Sequence, residues 1–160
     1  MDEATARVFM AQIQDNPLDK TTAAVFADWM EENGGDLRRV EQLRKGLIPL
    51  TREDEIAVQV LGYCNFAPAT FDKKFTSDLC ARREKMRKNR EPVAVTPKQY
   101  IWLWVLLWRY RRSVKPERFI EEAERRYNRY ARLLDLPRFK PIKVRPKPSD
   151  EQPLFEGSKQ

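Results

Sequence analysis

The 160-residue sequence predicts an all-α protein: a small bundle of about six helices around a Trp-rich central helix, with an extended C-terminal tail. Three observations carry this expectation. Apolar residues recur at helical spacing in segment after segment. Proline and glycine fall between those segments and punctuate them. One stretch, "IWLWVLLW" (101–108), is apolar all round, which in a water-soluble chain marks a helix buried on every side. The composition agrees, since 41% hydrophobic and 34% charged residues suit helices with thin apolar stripes and solvated outer faces.

The first helix is expected over about residues 3–14, with Ala4, Val8, Phe9 and Ile13 near one face. Pro17 breaks it, because proline lacks an amide proton and its predecessor resists helical angles. Asp19 is placed to cap "KTTAAVFADWMEEN", which buries Ala23, Phe26, Ala27 and Met30. Gly34-Gly35 ends that helix, Asp36 starts "LRRVEQLRKG", and Gly46 closes it.

The run "FMAQIQDNPLDKTTAAVFADWMEENGGDLRRVEQLR" resembles the short repeat-companion domain of bacterial, especially planctomycete, proteins over about residues 9–44. Pro17, Asp19, Ala27-Asp28-Trp29, Glu31-Glu32, Gly34, Arg39, Glu41 and Arg44 keep that family's order and spacing. The chain departs from it at Phe26, more often tyrosine there, and at Val40, usually alanine; both are changes of packing. The resemblance implies a small helical module found beside repeat domains or other fused parts, and it implies no enzymatic activity. Within it, Trp29 is expected to anchor the core and Asp28 to tie a helix end or an arginine.

"LIPL" (47–50) is a hinge-like connector, and Thr51 with Asp54 offers a capping pattern for the next helix. After the loop "NFAPAT", a helix over 71–89 carries Phe71, Phe75, Leu79 and Met86 on one side. Its other side holds Lys73, Lys74, Arg82, Arg83, Lys85, Arg87 and Lys88. "EPVAVTP" separates it from the apolar helix, for which Thr96 is the N-cap and Pro97 the first residue. Arg109, Arg111 and Arg112 complement that helix's carboxyl end. Lys98 and Arg109 bound the apolar run well short of the roughly 20 residues a membrane span requires. The stretch from "FDKKF" through "TPKQ" to "LLWRYRRS" is also loosely similar to uncharacterised bacterial and mobile-element proteins, a resemblance that implies no activity.

A last helix beginning near Pro116 presents Phe119, Ile120, Ala123, Tyr127, Tyr130, Ala131 and Leu134 as a stripe. Glu121–Arg125 and Glu122–Arg126 form ion pairs on its opposite face, while Arg118, Arg129 and Arg132 lack a local partner. Beyond Leu136, proline alternates with basic residues in an extended arm. The expected organisation is therefore an acidic module over 1–50, a basic module over 51–136 packed on it, and a tail over 137–160.

Charge divides the chain. Residues 1–60 hold 7 Lys+Arg against 12 Asp+Glu, and residues 61–160 hold 24 against 12. Enzymatic readings fare badly. Histidine is absent, no phosphate-cradling glycine loop exists, and adjacent carboxylates such as Glu31-Glu32 and Glu121-Glu122 point different ways on a helix. Cys64 and Cys80 are too few and too far apart for a disulfide scaffold or zinc knuckle. With no secretory signal in view, two reduced, mostly buried thiols in a cytoplasmic protein are expected. No catalytic residue, cofactor, metal or membrane contact is expected.

Binding remains. The expected function is that of a non-enzymatic accessory protein lying on nucleic-acid backbone, DNA or RNA, with a place as a small subunit of a larger nucleoprotein complex as a further reading. Lys73, Lys74, Arg82, Arg83, Lys85, Arg87, Lys88, Arg90, Arg109, Arg111 and Arg112 are the candidate phosphate contacts, with Lys140, Lys143, Arg145 and Lys147 of the tail extending the track. Arginine and aromatics interleave in "WRYRR" and "RRYNRY", a pattern suited to stacking on unpaired bases, although Tyr127 and Tyr130 fit the core stripe. The competing reading is a protein adaptor docked on a larger acidic partner.

Overall fold

The computed structural model describes residues 2–115 and 117–134. Among these, seven α-helices follow one another: α1 Glu3–Asp15, α2 Lys20–Glu32, α3 Leu37–Arg44, α4 Arg52–Gly62, α5 Phe71–Lys88, α6 Pro97–Arg109 and α7 Arg118–Leu133. A single 3-10 turn, Arg111–Ser113, follows α6. The starts lie where side-chain acceptors stand in the sequence. Asp19 accepts from the Thr21 and Thr22 amides and Asp36 from that of Arg38. Thr51 and Thr96 each close a capping box, with Asp54 and Gln99 respectively. Gly34 and Gly46, at the ends of α2 and α3, have φ of 73° and 81°, a region open to glycine at little cost.

The core is organised by α6. From Tyr100 to Trp108 every side chain is buried except Trp102, which is half-exposed. α7 packs along α6, with α4 and α5 on its other sides, while α1, α2 and α3 form a neighbouring layer. Trp29 is half-buried and packs its ring against Phe9 and Phe26, with centroids 5.7 and 6.1 Å away. Asp28 holds Arg44 at 3.1 Å.

Three local expectations change. The inward face of α1 is Ala6, Phe9, Met10 and Ile13; Val8 is 58% exposed and Ala4 faces solvent. Phe9 stacks on Phe26 at 5.1 Å, and that contact fixes the helix's rotation. The connector "LIPL" contains a strand, β1 (Ile48–Pro49), antiparallel to β2 (Ala94–Val95), with Ile48 opposite Val95 and Pro49 opposite Ala94. The Leu50 amide continues the pairing to the Val93 carbonyl at 2.8 Å. On α7, Arg125 pairs with Glu122 at 2.7 Å and with Asp15 at 3.7 Å rather than with Glu121. The Glu122–Arg126 pair forms, but Arg126 is buried, not outward. The tail over 137–160, with Lys140, Lys143, Arg145 and Lys147, lies outside the described residues.

Candidate nucleic-acid interface

α5 is the longest helix of the described chain and carries most of the candidate cations. Thr70 starts it by accepting the Lys73 amide, and buried Asp72, Thr76 and Leu79 turn one face inward. At about 100° per residue, the remaining surface splits into two edges. Lys73, Arg83, Arg87 and Lys88 lie toward α4. Lys74, Arg82 and Lys85 lie on the opposite edge, together with Phe71 and Phe75.

Five of the eleven candidate residues are engaged within the fold. Arg82 donates from Nε to the Ala94 carbonyl at 2.9 Å and ties α5 to β2. Arg83 and Arg87 share the Glu55 carboxylate of α4, at 3.4 and 2.9 Å. Arg109 donates twice from Nη1 to Asp72, at 3.0 and 3.1 Å. Arg111 donates to the Trp108 carbonyl at 3.0 Å and lies 4.1 Å from the centre of that indole. A groove of about 590 Å³ between α4 and α5 is lined by Tyr63, Arg83, Arg87 and Lys88, but also by Glu84. Two of its cations therefore already share the single Glu55 carboxylate.

The other six, Lys73, Lys74, Lys85, Lys88, Arg90 and Arg112, are exposed, and no carboxylate pairs with them among the described residues. Arg90 sits just past α5 with a φ of 57°, and its carbonyl accepts a hydrogen bond from Arg38 at 2.8 Å. That contact fixes the backbone there while the Arg90 side chain stays in solvent.

The interleaved aromatics face inward. Tyr130 is fully buried and donates to the Gln14 carbonyl; Trp108 is 8% exposed, and Tyr127 packs 6.3 Å from it. Tyr110 donates its hydroxyl to Asp72 at 2.6 Å and meets Phe66 edge-on at 4.6 Å. Burial and the Asp72 hydrogen bond push the Tyr110 phenol up to about 12. The available aromatic surface lies elsewhere. Phe71, expected on the apolar side of α5, is 62% exposed. It stacks on Phe75 at 5.9 Å and meets Trp102 edge-on at 5.8 Å. The sequence signal for this is faint: Phe71 directly follows the Thr70 cap, where no preceding helical turn covers a side chain.

Both cysteines are reduced, and burial raises both thiols above their ordinary range, so neither is an activated nucleophile. Among the described residues no group of three or more Cys, Asp or Glu side chains converges as a metal site, and no helix is long and apolar enough to cross a membrane. The chain matches no protein-family model, no curated protein and no solved structure.

Proposed function

We propose that this protein binds the sugar-phosphate backbone of nucleic acid, without sequence preference, through the exposed cations of α5 and its flanks. One observation carries the reading: Lys73, Lys74, Lys85, Lys88, Arg90 and Arg112 remain solvent-facing after the fold has used its internal acids on the neighbouring arginines. A lysine or arginine without a protein counter-ion gains most from a phosphate, because neutralising it releases condensed counterions. Such contacts hold the backbone and carry no base information. The role is that of a binding subunit; no catalytic step belongs to it.

The test is a salt titration of binding to DNA and RNA oligomers. If four cations each neutralise one phosphate of a single strand, a rise from about 50 to about 200 mM salt weakens binding roughly 50-fold. Replacing Lys85 and Lys88 by alanine is expected to reduce the logarithmic salt slope on a single strand by about 0.7 for each residue. Wild-type protein that binds neither DNA nor RNA at the lower salt would overturn the proposal and leave docking on an acidic protein as the better account.

A further inference from the structure

We infer that the aromatic step of Phe71, Phe75 and Trp102 is a stacking site for an unpaired base, so that the preferred ligand is single-stranded nucleic acid. This rests on the backbone-binding reading above and adds the form of the ligand.

Phe71 is the starting point. At 62% exposure its ring leaves apolar area in water, yet contacts to two further rings hold it in one place. The Phe71 and Phe75 planes are 27° apart and Trp102 stands at 69° to Phe71, so the three rings form a contiguous aromatic step. Trp102 is itself the half-exposed member of a stretch of α6 that is otherwise buried. An open ring face supported by two neighbouring rings is what an incoming base requires.

Charge around the step selects a polyanion. Lys74 lies one turn along α5 from Phe71, and Lys98 one turn before Trp102 on α6; both are exposed. Arg109 stands 5.8 Å from the Trp102 ring centre, its side chain 39% exposed. Both of its hydrogen bonds to Asp72 come from Nη1, so the rest of the guanidinium edge faces outward from that pair. Asp72 is paired there with Arg109 and accepts from the neutral Tyr110 hydroxyl, so the unpaired charge beside the step comes from Lys74 and Lys98. Asp78, exposed two turns along α5 from Phe71, bounds the phosphate path on that side. Cations therefore flank flat apolar faces, the pairing used to hold a strand by its phosphates and stack its bases. In a duplex the base faces are covered by their neighbours, so the step gains little from it.

The test compares labelled single strands of about 15 nucleotides, DNA and RNA, with a duplex of the same length at about 50 mM salt. Single strands are expected to bind wild-type protein at least 10-fold tighter, which is the scale of one stacked base. Phe71→Ala should weaken single-strand binding roughly 5- to 100-fold while leaving duplex affinity and the salt slope unchanged, and Phe71→Trp should restore it. Because Phe71 is mostly exposed, the alanine variant keeps the fold, which its far-ultraviolet dichroism and melting check. An unchanged single-strand preference in Phe71→Ala would overturn the stacking site and leave backbone binding standing. Poly-glutamate that competes as well as a single strand, and loses affinity in the same variant, would overturn it in favour of an acidic protein partner. Failure of the wild type to bind any nucleic acid would overturn both readings, and the salt titration alone would reveal the failure of the first.

Discussion

Two clusters in this molecule are built from the same side chains at different depths. Asp54, Tyr100 and Arg126 form one; Asp72, Tyr110 and Arg109 form the other. Each carboxylate sits in the first turn of its helix, accepts from a tyrosine hydroxyl and meets an arginine that lies over a tryptophan. The inner cluster draws on α4, α6 and α7, and none of its side chains is more than 8% exposed. Arg126 donates to Asp54, to the Tyr100 oxygen and, at 2.6 Å, to Glu122, with its guanidinium 4.0 Å from the centre of Trp104. The outer cluster spans only α5 and the end of α6, and its arginine is 39% exposed. Depth decides what the same chemistry does. Inside, the buried arginine, carboxylate and hydroxyl join three helices; at the rim, the pair positions Arg109 beside an open aromatic surface.

The protonation equilibria differ in the same sense. Burial, reinforced by the Asp54 charge, holds the Tyr100 hydroxyl well above the usual phenol range. For Arg126, burial opposes the charged form, yet the negative groups around it raise its affinity for the proton further. Removing Asp54 takes from buried Arg126 its fully buried counter-ion and from the Tyr100 hydroxyl its acceptor, leaving only the half-buried Glu122 carboxylate. Asp54→Ala is therefore expected to cost about 3–5 kcal/mol of stability, read as a lowered urea midpoint. Asp72→Ala, whose arginine partner can turn to water, should cost only about 2 kcal/mol. The comparison sharpens in a double-mutant cycle, where Asp54 with Arg126 should show a coupling energy several times that of Asp72 with Arg109. Equal couplings would mean that depth is not what separates the two.

This distinction also marks where the sequence stops being informative. The caps at Asp19, Asp36, Thr51 and Thr96, and the burial of residues 100–108, depend on neighbours within one or two turns, and a linear pattern records them. Arg126 misleads because its nearest acid, Glu122, stands four residues before it, as in any surface pair. The partner that places it inside, Asp54, is 72 residues away. The same limit hides the pairing of β1 with β2: two residues are too few to show alternation, and each strand's partner lies far along the chain. Within the candidate interface, residue type marks α5 as cationic. It does not say that Glu55 takes Arg83 and Arg87, or that Asp72 takes Arg109, because those acids come from other turns of the fold. Phe71 fits the apolar stripe of α5, but α6 covers that stripe only in part.

A second way to probe the outer cluster is alkaline pH. The Tyr110 phenol, raised from its ordinary 10.0 to about 12 by burial and then by the Asp72 hydrogen bond, keeps its proton longer in the folded chain than in the unfolded one. The folded state thus binds more protons across that window. Its contribution is complete below about pH 10 and is lost as pH rises toward 12. Tyr110→Phe, which removes a hydrogen bond to a charged acceptor, should lower stability by about 1.5 kcal/mol at pH 8. Urea midpoints of the two proteins should converge as the pH climbs above 10. A difference that stays constant to high pH would show that the ring, not the hydroxyl, supports that corner.

The smallest expected effect tests the boundary of the inner cluster. Glu122 is half-buried, and burial alone would raise its carboxyl, but hydrogen bonds from Arg125 and Arg126 bring it below its ordinary 4.5. A carboxylate with a depressed folded pKa stabilises the protein above its unfolded value and loses that contribution as acid protonates it. Glu122→Gln is therefore expected to cost less than about 1 kcal/mol at pH 7, because the pair is partly screened by solvent. The gap between variant and wild type should close as pH falls through 4.5 and below. Arg126 keeps Asp54 and Tyr100 when Glu122 is neutral, so the cluster itself should survive, with the Trp104 environment unchanged in near-ultraviolet dichroism. A loss at pH 7 as large as that of Asp54→Ala would instead make Glu122 an integral member of the sealed cluster, and the contrast between depths would then have to be drawn one residue further out.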